Sequence, residues 1–202
     1  MSEYFNCPVI TVSREYGAGG RSFASLLSKR LGLQWYDQDF VKETARDSGY
    51  SVEQIKTAGE EMTLLEYIMN STVVYNSAHD KVFEAQKNEV LKLSDHPCII
   101  IGRAANIILR EAGVKTFDVF LYASLENRMK RIEEIGENKG IDLKRFVERR
   151  DALRRNYYRH YTRKELGSCE DYSICIDTGV TGIDTAVETV AQIIEKIKKE
   201  AN

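Results

Sequence analysis

Residues 9–24, Val-Ile-Thr-Val-Ser-Arg-Glu-Tyr-Gly-Ala-Gly-Gly-Arg-Ser-Phe-Ala, run from a β-branched stretch through a loop with glycine at 17, 19 and 20 into a helical pattern. Backbone N–H groups of such a loop, with the positive end of the helix that follows, form a cradle for an anion, phosphate above all. Glycine is required because the loop needs positive φ and close backbone approach, which a Cβ obstructs. The segment departs from the usual G-x-x-x-x-G-K-[ST] phosphate loop, and two registers fit it. With Gly17-Ala18-Gly19-Gly20 laid on a GAGK core, Gly20 takes the lysine position and brings no side-chain cation. With Gly20-Arg21-Ser22 laid on G-K-[ST], Arg21 replaces the lysine and Ser22 offers the hydroxyl that binds Mg2+. Arginine is a rigid planar fork and lysine a flexible point charge, so this exchange alters the chemistry. A glycine-rich turn without a ligand is the alternative.

A second concentration of chemistry lies in 125–166. From Lys144 to Lys164 there are nine Lys or Arg against two acids, Glu148 and Asp151, and Arg128, Lys130 and Arg131 precede them. Arg150, Arg154 and Tyr158 share one helical face by their i, i+4, i+8 spacing, and Asp151 and Arg155 share another. Three readings compete. A solvated helix laced by i,i+4 pairs lacks the acids to pair its bases. A nucleic-acid face draws on Tyr157, Tyr158 and Tyr161 interleaved with arginines, but a net charge of −2 gives no whole-protein field to attract one. A lid over a nucleoside triphosphate suits the composition best, because arginines neutralise a transferring phosphoryl group and closure excludes water.

These groups need elements to position them. Residues 8–13 predict a buried first strand. The next helix carries Phe23, Leu26, Leu27 and Leu31 on one face and stops at Gly32. Residues 33–37 form a short second strand, with Asp37 and Asp39 where it ends, the ligand-facing end of a parallel sheet. Asp37 reads equally as a functional group and as a helix cap, and Asp39 as a cap for a helix from Phe40. Residues 51–95 read as helical with a break near Ala58–Gly59, either a substrate-side insertion or a dimer surface. His79 and His96 in this region read as surface or capping groups. Strand 98–101 ends in Gly102-Arg103, where the chain passes close to a ligand and Arg103 reaches for a phosphate, or else begins the next helix as a surface residue. No Asp or Glu ends this strand. Helix 104–111, strand 116–123, strand 172–178 and an amphipathic helix 182–199 complete the pattern. Strands alternating with helices argue for a parallel sheet with helices on both faces.

With 202 residues, 43% hydrophobic and 30% charged, the chain fits one globular domain over 1–202. Cys7, Cys98, Cys169 and Cys175 show no metal-binding spacing and suit reduced thiols, so zinc is not expected. No apolar run approaches the length of a membrane span and no signal peptide is visible, which predicts a cytoplasmic protein with no membrane and no nucleic-acid partner.

Taken together, Ile10-Thr11-Val12-Ser13-Arg14-Glu15-Tyr16-Gly17-Ala18-Gly19-Gly20-Arg21, Tyr36-Asp37, Ile101-Gly102-Arg103 and Asp151-x-x-Arg154-x-x-Tyr157-Tyr158-x-x-Tyr161-Thr162 resemble the cytidylate kinase-like family of P-loop proteins. The resemblance implies a three-layer α/β/α fold with a five-stranded parallel sheet, a helical substrate-side insertion at about 51–95 and an arginine-rich helical lid at about 125–166. It implies Mg2+ and ATP as cofactors and a nucleoside monophosphate, CMP or dCMP, as acceptor. Asp151 and Arg154 match the D-x-x-R pair with which cytidylate kinases hold the pyrimidine nucleotide. The aspartate that follows Gly-Arg in those enzymes is Ala104 here, and the loop lysine is replaced.

The resulting expectations are specific. Ser13, Arg14, Gly17, Ala18, Gly19, Gly20, Arg21 and Ser22 cradle the ATP phosphates, with Ser22 on Mg2+ and Arg14 or Arg21 in place of the lysine charge. Arg128, Arg131 and Arg150 clamp the transferring phosphoryl group. Asp37, Gly102, Arg103, Asp151, Arg154 and Tyr158 bind the acceptor. A homodimer through 60–95 is a candidate. Two other functions stand beside this one: a nucleotide sensor that transfers nothing, and a kinase of another small acceptor such as dephospho-coenzyme A.

Overall fold

The computed structural model describes residues 9–37, 77–136 and 142–200. Asp39, the helix from Phe40 and the segment 51–76 lie outside the described residues, and with them the part of the candidate dimer surface from 60 to 76.

Strands β1 (Val9–Arg14), β2 (Gln34–Tyr36), β3 (Cys98–Ile101), β4 (Thr116–Tyr122) and β5 (Ile174–Asp177) form one sheet in the order β2-β3-β1-β4-β5. Every pairing is parallel, with Val9 opposite both Cys98 and Thr116, Gln34 opposite Cys98 and Val119 opposite Ile174. β1 is central, so the chain winds from it first to one side and then to the other. The crevice at the end of β1 is where such a sheet takes ligands.

Helices cover both faces. Side chains alternate along a strand, so Ile10, Val12, Ile99 and Ile101 enter one cluster while Val9, Cys98 and Ile100 enter the other. The first cluster is closed by α1 (Gly20–Leu31) through Phe23, Ala24 and Leu27, and by the C-terminal helix Ile183–Glu200 through Ala186, Val187, Val190, Ala191 and Ile194. The second is closed by α2 (Ser77–Leu93) and α3 (Ala105–Glu111) through Val90, Ala105, Ile108 and Leu109. This is the three-layer α/β/α arrangement expected from the sequence, with α2 as the described part of the helical insertion. The inner side of α2 docks on the chain itself: Gln86 accepts from the Tyr157 hydroxyl at 2.9 Å.

Helix boundaries follow local chemistry. α1 starts at Gly19 and stops at Gly32, both left-handed, and the Gly32 N–H donates to the Ser28 carbonyl. Two helices of the basic segment follow β4. Ser124 caps α4 (Leu125–Glu134), and Asp142 caps α5 (Leu143–Thr162), each side chain accepting a first-turn N–H. After a single 3-10 turn at Cys169–Asp171 come β5, the short α6 (Thr178–Thr181) and the C-terminal helix, here α7. No helix among the described residues is long and apolar enough to cross a membrane.

One polar network inside the fold was not anticipated. The Asp118 carboxylate, on β4, accepts from the Thr11 hydroxyl at 2.5 Å, from the Thr116 hydroxyl at 2.7 Å and from Arg110 at 3.4 Å. Arg110 also donates to Asp171 at 2.9 Å, and Lys164 reaches the same carboxylate oxygen. Burial raises the Asp118 carboxyl above its usual range, opposed by these donors.

Asp118→Ala strands buried donors and is expected to cost about 3 kcal/mol of stability. The measurement is a urea titration, and a midpoint unchanged from the wild type removes the network from the account of the fold. Burial also pushes the Cys98 thiol up to about 11. At pH 8 a thiol reagent is therefore expected to modify the exposed Cys169 and to spare Cys98 until the protein is unfolded.

Candidate active site

The loop between β1 and α1 is shaped by its glycines. Gly17 and Gly19 have φ of +81° and +85°, a region that residues with a Cβ rarely adopt. A Cβ on Gly17 meets Ile132 Cδ1 at 2.9 Å and the Arg128 carbonyl at 3.0 Å. One on Gly19 collides with Ile183 Cδ1 and lies 3.1 Å from Arg131 Nε. Helix α1 then opens with no side chain capping it and no acid in its first turn. The helix dipole and first-turn N–H groups therefore face the loop with no built-in anion.

Arginines surround this loop, and the structure sorts them. Arg14 and Arg21, expected to replace the lysine, both turn to Asp37. Arg21 Nε donates to Asp37 Oδ2 at 2.5 Å, and Arg14 Nη2 lies 3.7 Å from Oδ1. Arg14 runs along the backbone: its Cγ is 2.9 Å from where a Cβ on Gly20 would sit, and its guanidinium fills the space beside Gly102. The closeness explains why positions 20 and 102 carry glycine. Asp37 thus bridges the two arginines.

Arg128 is nearly fully buried. Its Nε donates to the Ala123 carbonyl at 3.0 Å, and its Nη1 donates to the Tyr16 carbonyl at 3.0 Å and to Asp151 Oδ2 at 2.5 Å. A guanidinium so engaged acts as a strut, which differs from the expected phosphoryl clamp. Arg131, one turn further along α4, faces the loop and donates from Nη2 to the Ser22 hydroxyl at 2.8 Å. Arg150 lies over the rings of Tyr16 and Phe146, at 5.7 and 5.3 Å from their centroids, a stacking geometry that holds a guanidinium at the loop's flank.

The D-x-x-R pair turns inward. Asp151 Oδ1 accepts the Tyr16 N–H at 2.8 Å, and Arg154 Nη1 donates to the Arg14 carbonyl at 2.9 Å. Both side chains are buried. The i,i+4 partnership of Asp151 with Arg155 does not form, because Arg155 points to solvent while Asp151 is taken by Arg128 and the loop. Tyr158, expected to bind the acceptor, lies in the core. It is 2% exposed, packs with Ala104 and Ile107, and its hydroxyl accepts from Asn106 at 3.0 Å. Burial raises its phenol well above the ordinary value.

Ser13 is buried at the end of β1, and Ala18 is buried with its carbonyl accepting from the Thr178 hydroxyl at 3.0 Å. After β3 the chain makes three left-handed steps in succession, Gly102, Arg103 and Ala104, with φ of +75°, +59° and +54°. The turn sets Arg103 at the same strand ends as the loop. Among the described residues no group of His, Cys, Asp and Glu side chains is arranged to hold a metal ion. The bracing by Asp151 was missed in the sequence, though the i−4 spacing of Asp151 behind Arg155 hid rather than revealed it.

Asp151→Ala leaves the Arg128 guanidinium buried without its carboxylate and is expected to cost about 3 kcal/mol. Chemical denaturation measures this, and a change within 0.5 kcal/mol, on the order of an ordinary surface substitution, removes the strut. Gly19→Ala is expected to destabilise as well in the same titration, since the new Cβ enters the space of Ile183 and Arg131.

Comparison with known proteins agrees with this geometry. Residues 9–180 match the cytidylate kinase-like family. A curated protein of Thermoplasma acidophilum, described as cytidylate kinase, is 27% identical over 171 residues, covering 84% of this chain and 82% of its own. Among solved structures, an uncharacterized protein from Eubacterium ventriosum superposes with a TM-score of 0.69 at 22% identity, over 93% of this chain and 98% of its own. Shikimate kinase from Acinetobacter baumannii, solved with shikimate, gives a TM-score of 0.54 at 15% identity over 97% and 98%. The structural matches establish the three-layer α/β/α fold, and the family match supports nucleotide kinase activity. The chain belongs to the cytidylate kinase-like family.

Proposed function

We propose that the protein transfers the γ-phosphoryl group of ATP to a nucleoside monophosphate, with CMP or dCMP as the acceptor. The observation that carries this reading is the loop at 16–22. Two positive-φ glycines and an uncapped helix N-terminus form a phosphate cradle, bordered by Arg131 and Arg150 on the lid helices. The name of the Thermoplasma relative supports the cytidine acceptor.

In the reaction an oxygen of the acceptor phosphate attacks the γ-phosphorus and the bond to the ADP oxygen breaks. The nucleophile is already anionic, so no general base is needed, and positioning with charge neutralisation supplies the catalysis. Gly17, Ala18, Gly19 and Gly20 would meet the phosphates through their backbone. Arg150 would neutralise charge from the lid side, and Arg14, Arg103 and Asp37 lie on the side of the sheet where the acceptor enters. Ser22, on the first turn of α1 beside the cradle, would hold Mg2+ through its hydroxyl, which accepts from Arg131 at 2.8 Å and must give up that bond first. In such sites Mg2+ takes its other ligands from phosphate oxygens and water, and it supplies further charge neutralisation when bound.

The inward turn of Asp151 and Arg154 bears on the acceptor. In this conformation they hold the loop backbone, so a pyrimidine contact requires α5 to shift. A coupled ADP-release assay with Mg2+-ATP and a panel of CMP, dCMP, UMP, AMP, GMP and dephospho-coenzyme A tests the reading. Turnover with CMP or dCMP well above the ATPase background is expected. Preference for another acceptor replaces the substrate, and no turnover in protein that binds ATP by calorimetry makes it a nucleotide sensor.

A further inference from the structure

The sheet order places β3 and β2 on one side of β1, and β4 and β5 on the other. The loop after β1 makes its contacts with segments that leave β4 and β5. Gly17 packs on Arg128 and Ile132, Gly19 on Arg131 and Ile183, and the Ala18 carbonyl accepts from Thr178. Arg14, the last residue of β1, crosses to the opposite side. Its stem runs over Gly20, with Cγ and Cδ at 2.9 and 3.2 Å from the Cβ site. Its guanidinium then lies at the end of β3, with Cζ 3.3 Å from the Cβ site of Gly102. Nη2 is 3.7 Å from Asp37, which follows β2.

We propose that the Arg14 guanidinium binds the phosphate of the acceptor and thereby selects acceptors that carry a phosphate group. The proposal rests on the reading that a nucleoside monophosphate enters on the side of β2 and β3. It moves Arg14 from the ATP phosphates, where sequence alone placed it, to the other substrate.

The same path accounts for the missing lysine. A lysine at position 20 needs the space that the Arg14 stem fills, so the two side chains exclude each other. The charge absent from the donor side of the loop stands across it, on the acceptor side. The site is also built in advance. Arg154 Nη1 donates to the Arg14 carbonyl at 2.9 Å and fixes the backbone from which the side chain starts. Gly102, at φ +75° and without a Cβ, lets the guanidinium lie against the turn that carries Arg103. Asp37 steadies it from β2, and the two side chains are only 12% and 9% exposed, so water screens the pair little. A planar fork held in this way offers paired N–H groups to phosphate oxygens with little ordering left to do. A lysine in its place would bring a flexible point charge.

The experiment is calorimetry on the wild type, Arg14→Gln and Arg14→Lys, with thermal unfolding recorded for each. CMP, UMP, AMP, GMP, their nucleosides and ATP are titrated separately. Arg14→Gln is expected to lose at least about tenfold in affinity for the monophosphate that the wild type binds best. Its affinities for ATP and for the nucleosides stay unchanged, and Arg14→Lys recovers part of the loss. Unchanged monophosphate affinity in Arg14→Gln overturns the proposal, as does a loss that falls on ATP at least as heavily. A wild type that binds no monophosphate overturns it too. Where Arg14→Gln fails to fold, a second pair of variants decides. Gly20→Lys is expected to lower the melting temperature in the wild-type background and far less beside Arg14→Ala, a coupling read from the double-mutant cycle. The double variant gains ATP affinity and loses monophosphate affinity; wild-type affinity for the monophosphate in that protein overturns the proposal. Binding and turnover separate this inference from the kinase reading. A wild type that binds a monophosphate through Arg14 but releases no ADP keeps the first and loses the second. Turnover with an acceptor affinity that ignores Arg14 does the reverse.

Discussion

The Asp151 carboxylate is the contact on which the rest of the site depends. One oxygen accepts the N–H of Tyr16 and the other accepts Arg128, while Arg128 in turn donates to the carbonyl of Tyr16. Both peptide groups flanking one loop residue are thereby held by a single buried ion pair. Taking two charges out of water is costly, and such a pair is weak evidence of net stability. What it provides is geometry: the pair satisfies itself only when loop, α4 and α5 meet in one arrangement. Arg154 on the Arg14 carbonyl and Arg150 over the Tyr16 ring extend the same grip to either side.

This grip divides the basic segment into two populations. Asp151, Arg154, Tyr157 and Tyr158 point inward and fix α5 to the body of the protein. Arg155 and Arg159 point outward, the latter paired with Glu165 at 2.6 Å. The excess of positive charge that sequence composition exposes is therefore not a single functional surface. One part supports the loop, one part is solvated, and Arg131 and Arg150 face the space in which phosphates are expected.

The fold was largely legible in the sequence because its signals are local. Apolar β-branched runs gave the strands, helical periodicity gave α1 and α7, and Gly32 ended α1 where a left-handed stop was expected. The resemblance carried by the loop and the Asp151–Thr162 stretch gave the family. The partners of the arginines were not legible, since Arg128 meets Tyr16 and Arg131 meets Ser22 across more than a hundred residues of chain. Spacing along one helix says which residues share a face and says nothing of what that face meets. The same limit hid Asp118, whose neighbours come from β1, α3 and its own strand, and the burial of Tyr158, which shares a helical face with Arg150 and Arg154 by spacing.

The turn after β3 carries backbone strain at two successive residues that have a Cβ. Arg103 and Ala104 both hold a left-handed backbone that glycine adopts freely, and each non-glycine residue in that region costs roughly 1 kcal/mol. Glycine at 103 would relax the turn and remove the side chain together. Ala104 carries the same strain with no polar side chain, so the backbone path of the turn, and not the Arg103 guanidinium alone, is what the fold holds in place.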